Sequence, residues 1–89
     1  MDIFRFFGEI LSEKINKPPT PSAGLIRLGF KGDFPGKDPK TMTFEDLLFV
    51  FKNGLKKKLE FLNIGNVNGV VNHMVKQLNL NQSLLTISK

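Results

Sequence analysis

His73 is the one imidazole in this 89-residue chain, and cysteine is absent. A catalytic imidazole needs a nucleophile or an orienting partner, and a transition-metal site needs about three side-chain ligands. No spacing in the chain assembles either set. A glycine-rich strand-to-helix loop, a G-x-S-x-G elbow and a helix-borne H-E-x-x-H are missing too. The sequence therefore predicts a non-enzyme, with no cofactor, no metal and no small-molecule substrate. What remains is non-covalent chemistry, and two groups of residues can carry it. Lys52, Lys56, Lys57 and Lys76 are cations able to contact phosphates. Phe4 and Phe49 are large apolar side chains at the edge of, or off, the faces that a core would use.

Residues 38–47 resemble the second half of an EF-hand loop and the start of its exit helix, a likeness carried by T-M-T-F-E-D-L. With Asp46 as the final ligand, the first, third and fifth loop positions fall on Pro35, Lys37 and Pro39, and the turn glycine on Lys40. None of these supplies a carboxylate oxygen for calcium. A Thr43 cap followed by Glu45 and Asp46 explains the same letters without a metal.

The net charge of +5 and a pI near 9.8 point to an anionic partner. The charge rests mainly on lysine, however, and only Arg5 and Arg27 offer the planar fork suited to phosphate or guanine. No run reaches the 18 or so apolar residues of a membrane-spanning helix. Asp2 and Glu9 interrupt what would be a signal peptide. With cysteine absent as well, a cytoplasmic location is expected.

The elements that must position these residues follow from periodicity. The clearest is a helix over 43–63, in which Phe44, Leu48, Phe51, Leu55, Leu59 and Leu62 form one stripe. Thr43 is its predicted cap, with Asp46 closing a capping box and Met42 packing on Leu47. Phe49 falls on the polar side, near Lys52, Asn53 and Lys56, and is expected to pack under another segment such as the tail or to join an interface. A first helix, 2–16, buries Ile3, Phe6, Phe7, Ile10, Leu11 and Ile15, with Phe4 at the flank.

Prolines 18, 19 and 21 predict a stiff extended connector after it. A second helix is expected over 21–31, capped by Thr20 and ended by Gly32. A fourth, 66–79, carries Val67, Val70, Val71, Met74, Val75 and Leu78, with Asn66 as cap, Gly65 as the left-handed end of the preceding helix, and His73 facing solvent. The expected fold is all-α: one small domain over 1–89 with four helices and a short C-terminal tail. The alternative is α+β, with 25–30 and 84–87 as strands.

A chain of this length buries only about 60–65% of the surface exposed by its unfolded form, so association adds usefully to stability. The expected function is accordingly a protein-interaction or assembly module, self-associating or docking on a larger protein. Sequence-independent nucleic-acid binding through the lysines of the third and fourth helices is the alternative.

Overall fold

Six α-helices and one 3-10 turn fill most of residues 2–86, the part of the chain described by the computed structural model. They are α1 (Ile3–Ile15), α2 (Pro19–Asp33), the turn Pro39–Thr41, α3 (Phe44–Lys52), α4 (Gly54–Phe61), α5 (Val67–Leu80) and α6 (Ser83–Thr86). No strand occurs among the described residues, so the all-α expectation holds. The α+β alternative fails: 25–30 is the interior of α2 and 84–86 belongs to α6, while Ile87 lies outside the described residues. The Cα radius of gyration is 11.8 Å, close to the value of about 12 Å for a folded chain of this length.

Asp2 caps α1 by accepting from the backbone N–H groups of Phe4 and Arg5 at 3.0 and 3.3 Å. The helix ends at Asn16, which takes a left-handed conformation (φ 55°) that asparagine tolerates. Its buried face is Phe4, Phe7, Gly8, Leu11 and Ile15, leaving Ile3, Phe6 and Ile10 half-buried. The face is turned towards Phe4 because α1 lies directly on α2. A Cβ built on Gly8 would come within 2.6 Å of the Cα and Cβ of Ala23.

The second helix starts two residues before the expected position, and the proline connector shrinks to Asn16–Pro18. Pro19 and Pro21 occupy the first and third helical positions, where a backbone N–H has no intrahelical partner and its loss is harmless. The first such bond runs from Ser22 N–H to the Pro18 carbonyl at 3.2 Å, and the Ser22 hydroxyl donates to the same oxygen at 2.9 Å. Thr20 is thus inside the helix rather than its cap. At the other end α2 continues through Gly32 to Asp33.

The helix expected over 43–63 is two helices. Asn53 leaves helical geometry (φ −124°, ψ −78°) and separates α3 from α4. The cause lies on α2: the Asp33 carboxylate accepts from the Asn53 side-chain amide at 2.7 Å and from the Gly54 N–H at 2.9 Å. A residue distant in sequence therefore supplies the cap that α4 lacks locally. Gly54 also presses on α2, where a Cβ would meet the Gly29 carbonyl oxygen at 2.6 Å and the Gly29 Cα at 2.9 Å.

The break resets the helical phase. Phe51, Leu55 and Leu59 are fully buried as expected, but Leu47 and Val50 take the places of the half-buried Phe44 and Leu48, and Leu62 is exposed. Gly65 is not the left-handed residue after α4. Asn63 is (φ 57°), with Ile64 N–H bonded to the Leu59 carbonyl and Asn63 N–H to that of Glu60. Asn66 caps α5 as expected, accepting from Gly69 N–H. That helix buries Val70, Val71, Met74 and Leu78 in the same core as α1 and α3.

The capping box of α3 forms as the sequence predicts. Thr43 Oγ1 accepts from Asp46 N–H, and Asp46 Oδ2 accepts from Thr43 N–H, each at 3.1 Å. Lys37 adds an ammonium 2.5 Å from Asp46 Oδ2. Partial burial alone would raise the Asp46 pKa, but the Lys37 and Thr43 hydrogen bonds together hold it below its ordinary value of 3.8.

A carboxyl whose folded pKa is depressed contributes stability above its unfolded pKa and loses it as pH falls through the folded one. The melting-temperature gap between the wild type and Asp46→Asn is therefore expected to be constant above about pH 5 and to close below pH 3.8. A gap that stays constant to pH 2 or so would remove Asp46 from this role.

Candidate functional site

Leu28 of α2 and Phe61 of α4 keep 52% and 84% of their surface exposed, although both belong to helices whose other faces reach the core. They flank an open groove of ≈ 410 Å³ between those helices. Positions 28, 29 and 32 of α2 follow helical spacing, as do positions 54, 57, 58 and 61 of α4, so each helix gives the groove one stripe. Its floor is unusual in being made of Gly29, Gly32 and Gly54, which have no side chains to fill it. Gly29 and Gly54 are the point where α2 and α4 touch, whereas a Cβ on Gly32 would meet nothing within 4 Å.

Charge on the groove is two lysines against one aspartate. Lys57 and Lys58 are exposed along its α4 wall. Asp33 is the one acidic residue of the lining, and both of its oxygens are occupied by Asn53 and Gly54.

Other open grooves lie elsewhere among the described residues. One, between α1 and α2, is lined by Arg5, Glu9, Asp2 and Arg27. Its charges pair among themselves, Arg5 with Glu9 at 3.9 Å and Arg27 with Asp2 at 3.6 Å. Another lies between the start of α1, the 3-10 turn and Leu85. Among the described residues no group of three or more His, Asp or Glu is placed to hold a metal ion.

Phe49 is 51% exposed and rests edge-on against Phe34, with ring centroids 5.9 Å apart. Phe34 in turn stacks on Phe30 and has the Lys37 ammonium 5.6 Å from its ring centre. One segment against Phe49 is therefore the end of α2, while residues 87–89 of the expected tail lie outside the described residues. Phe4 is a core residue: it packs against Phe30 at 5.7 Å and lies under the Arg27 guanidinium at 5.2 Å, leaving 5% of its surface exposed. The fold itself covers Phe4, so its side chain offers little surface to a partner.

The four lysines fall on three helices. Lys52 is exposed at the end of α3, Lys56 is half-buried, Lys57 lines the groove, and Lys76 is exposed on α5. His73 is half-buried rather than facing solvent. Burial first, then the positive charges of Lys14 and Lys76, lower its pKa below 6.5 against the opposing pull of Glu13. Lys76 thus belongs with Lys14 near the end of α1, while Lys57 belongs to the α2–α4 groove.

Comparison with protein-family models, curated proteins and solved structures found no match to this chain.

Leu28 and Phe61 were missed by sequence reasoning for different reasons. Phe61 lies about 200° around the helix from Leu59, the same test that singled out Phe49, so a signal was available. Leu28 has no such mark. It shares an apolar run with Leu25, Ile26 and Phe30, and only the docking of α1 and α4 decides which of these is left outside.

Proposed function

We propose that this chain is a non-enzymatic protein-interaction module that docks through the groove between α2 and α4. The observation supporting this reading is the pair Leu28 and Phe61, held apart on two helices with a glycine floor between them. Exposed apolar side chains that flank a concave, rimmed surface are the usual mark of an interaction site. No helix among the described residues is long and apolar enough to cross a membrane. A cytoplasmic setting belongs to the same proposal, on the ground that a chain without cysteine suits a reducing compartment.

Nucleic-acid binding is the weaker reading, because phosphate contacts need convergent cations and Lys57 and Lys76 sit in different neighbourhoods. Sedimentation across the micromolar range, coupled to affinity capture, tests the choice. Self-association, or stoichiometric retention of a partner that Phe61→Ser abolishes, is expected. A strict monomer that retains no protein contradicts the proposal. A gel shift lost in Lys52→Glu/Lys56→Glu would favour nucleic acid instead.

A further inference from the structure

We infer that the α2–α4 groove receives an acidic amphipathic helix from a partner protein. In this arrangement its apolar stripe lies between Leu28 and Phe61 and its carboxylates meet Lys57 and Lys58. The inference rests on the reading of the chain as an interaction module and names the chemistry of the partner. Three observations carry it.

The first is shape. The groove runs between two helices and its floor is backbone at Gly29, Gly32 and Gly54, so a third helix can approach closely if it presents small or aliphatic residues. The room at Gly32 is real, since a Cβ there has no neighbour within 4 Å. The second is exposure. Leu28 of α2 and Phe61 of α4 both line the groove, at 52% and 84% exposure, and apolar side chains offered from two helices suit a stripe of residues recurring at every third or fourth position.

The third is charge. Lys57 and Lys58 outnumber the single carboxylate of the lining, Asp33, which keeps its charge but whose two oxygens already accept from Asn53 and Gly54. Opposite charge on the incoming helix is therefore rewarded, and like charge is rejected. This also argues against a second copy of the chain. A two-fold contact repeats each patch on itself, so it would bring Lys57 and Lys58 of both copies together in a protein of net charge +5.

The experiment is chemical-shift mapping of the 15N-labelled chain with two synthetic helical peptides. Both carry the same Leu and Ala stripe, one flanked by Glu and the other by Lys. The acidic peptide is expected to shift the amides of Leu28, Gly32, Gly54, Lys57 and Phe61. Lys57→Glu/Lys58→Glu should weaken it by about tenfold or more and favour the Lys peptide. Gly32→Leu fills the groove at a helical position open enough to accept it, so it should abolish binding while the chain stays folded by circular dichroism. Gly24→Ala, a second open position outside the groove lining, should leave binding unchanged.

Equal binding of the two peptides, or shifts confined to other residues, overturns the inference. If the acidic peptide fails but the chain sediments as a dimer that Gly32→Leu dissociates, the groove seats a second copy: the inference falls and the interaction reading stands. If a short nucleic-acid duplex alone shifts Lys57 and Lys58, both fall. A monomer that binds neither peptide and captures no protein overturns both as well.

Discussion

Leu55→Ala is expected to lower the free energy of unfolding by about 2–5 kcal/mol, the range for removing a large aliphatic side chain from a filled core. Leu55 is fully buried near the start of α4 and belongs to the single core cluster that also holds Phe7, Phe51 and Met74. It sits one residue after the point where α4 presses on Gly29, so the backbone there has little freedom to collapse into the space left behind. For a domain whose total stability is on the order of 5–15 kcal/mol, this is a large fraction.

Phe49→Ala removes a bigger side chain, yet its expected effect is only about 1 kcal/mol. What is lost there is mainly one edge-to-face contact with Phe34, on a ring that is half in water. Urea denaturation of the two variants, measured as monomers, reads the contrast. Equal losses would mean that Phe49 is covered in solution by something other than Phe34.

Gly54→Ala is the second large effect, with an expected cost of about 1–3 kcal/mol by overpacking. The added methyl would lie 2.6 Å from the Gly29 carbonyl oxygen and from Asp33 Oδ2, and 2.9 Å from the Gly29 Cα. Two of these neighbours are backbone, so α2 and α4 must separate, and the Asp33 cap on Asn53 and Gly54 loosens with them. The same chemical change at Gly24, where a Cβ meets nothing within 4 Å, has the opposite expected sign. Replacing glycine by alanine at a relaxed helical position stabilises by about 0.4–1 kcal/mol. Thermal unfolding of both variants therefore separates helix propensity from helix contact. Stabilisation by Gly54→Ala would contradict the close crossing of α2 and α4.

The parts of this fold that depend on neighbours in sequence could be read from the sequence, and the parts that depend on tertiary contact could not. The Thr43–Asp46 capping box and the Asn66 cap are local chemistry, and they form as their spacing predicts. The break at Asn53 is different. Nothing in F-V-F-K-N-G-L-K interrupts the apolar periodicity except Asn53-Gly54, and glycine in a helix is only mildly unfavourable on its own. What turns that dipeptide into a helix boundary is Asp33, twenty residues away from Asn53, together with Gly29.

The prolines mislead in the other direction. They suggest an extended spacer, but a helix start needs no N–H at its first three positions, so Pro19 and Pro21 fit inside it. The candidate site followed the same division. Phe49 stood out because one helix suffices to place it off the stripe, whereas the groove needs the crossing of two.

The proposed role of the α2–α4 groove is to be the surface through which this chain meets another protein. Photo-crosslinking from position 61 tests it most directly, with position 80 as the control, since Leu80 is 68% exposed but outside the groove lining. A photoreactive phenylalanine at position 61 of the full chain is expected to give one dominant protein adduct that disappears when Gly32→Leu is added. The same residue at position 80 is expected to give none. Adducts of equal yield from both positions, or an adduct at 61 that Gly32→Leu leaves unchanged, would contradict the account.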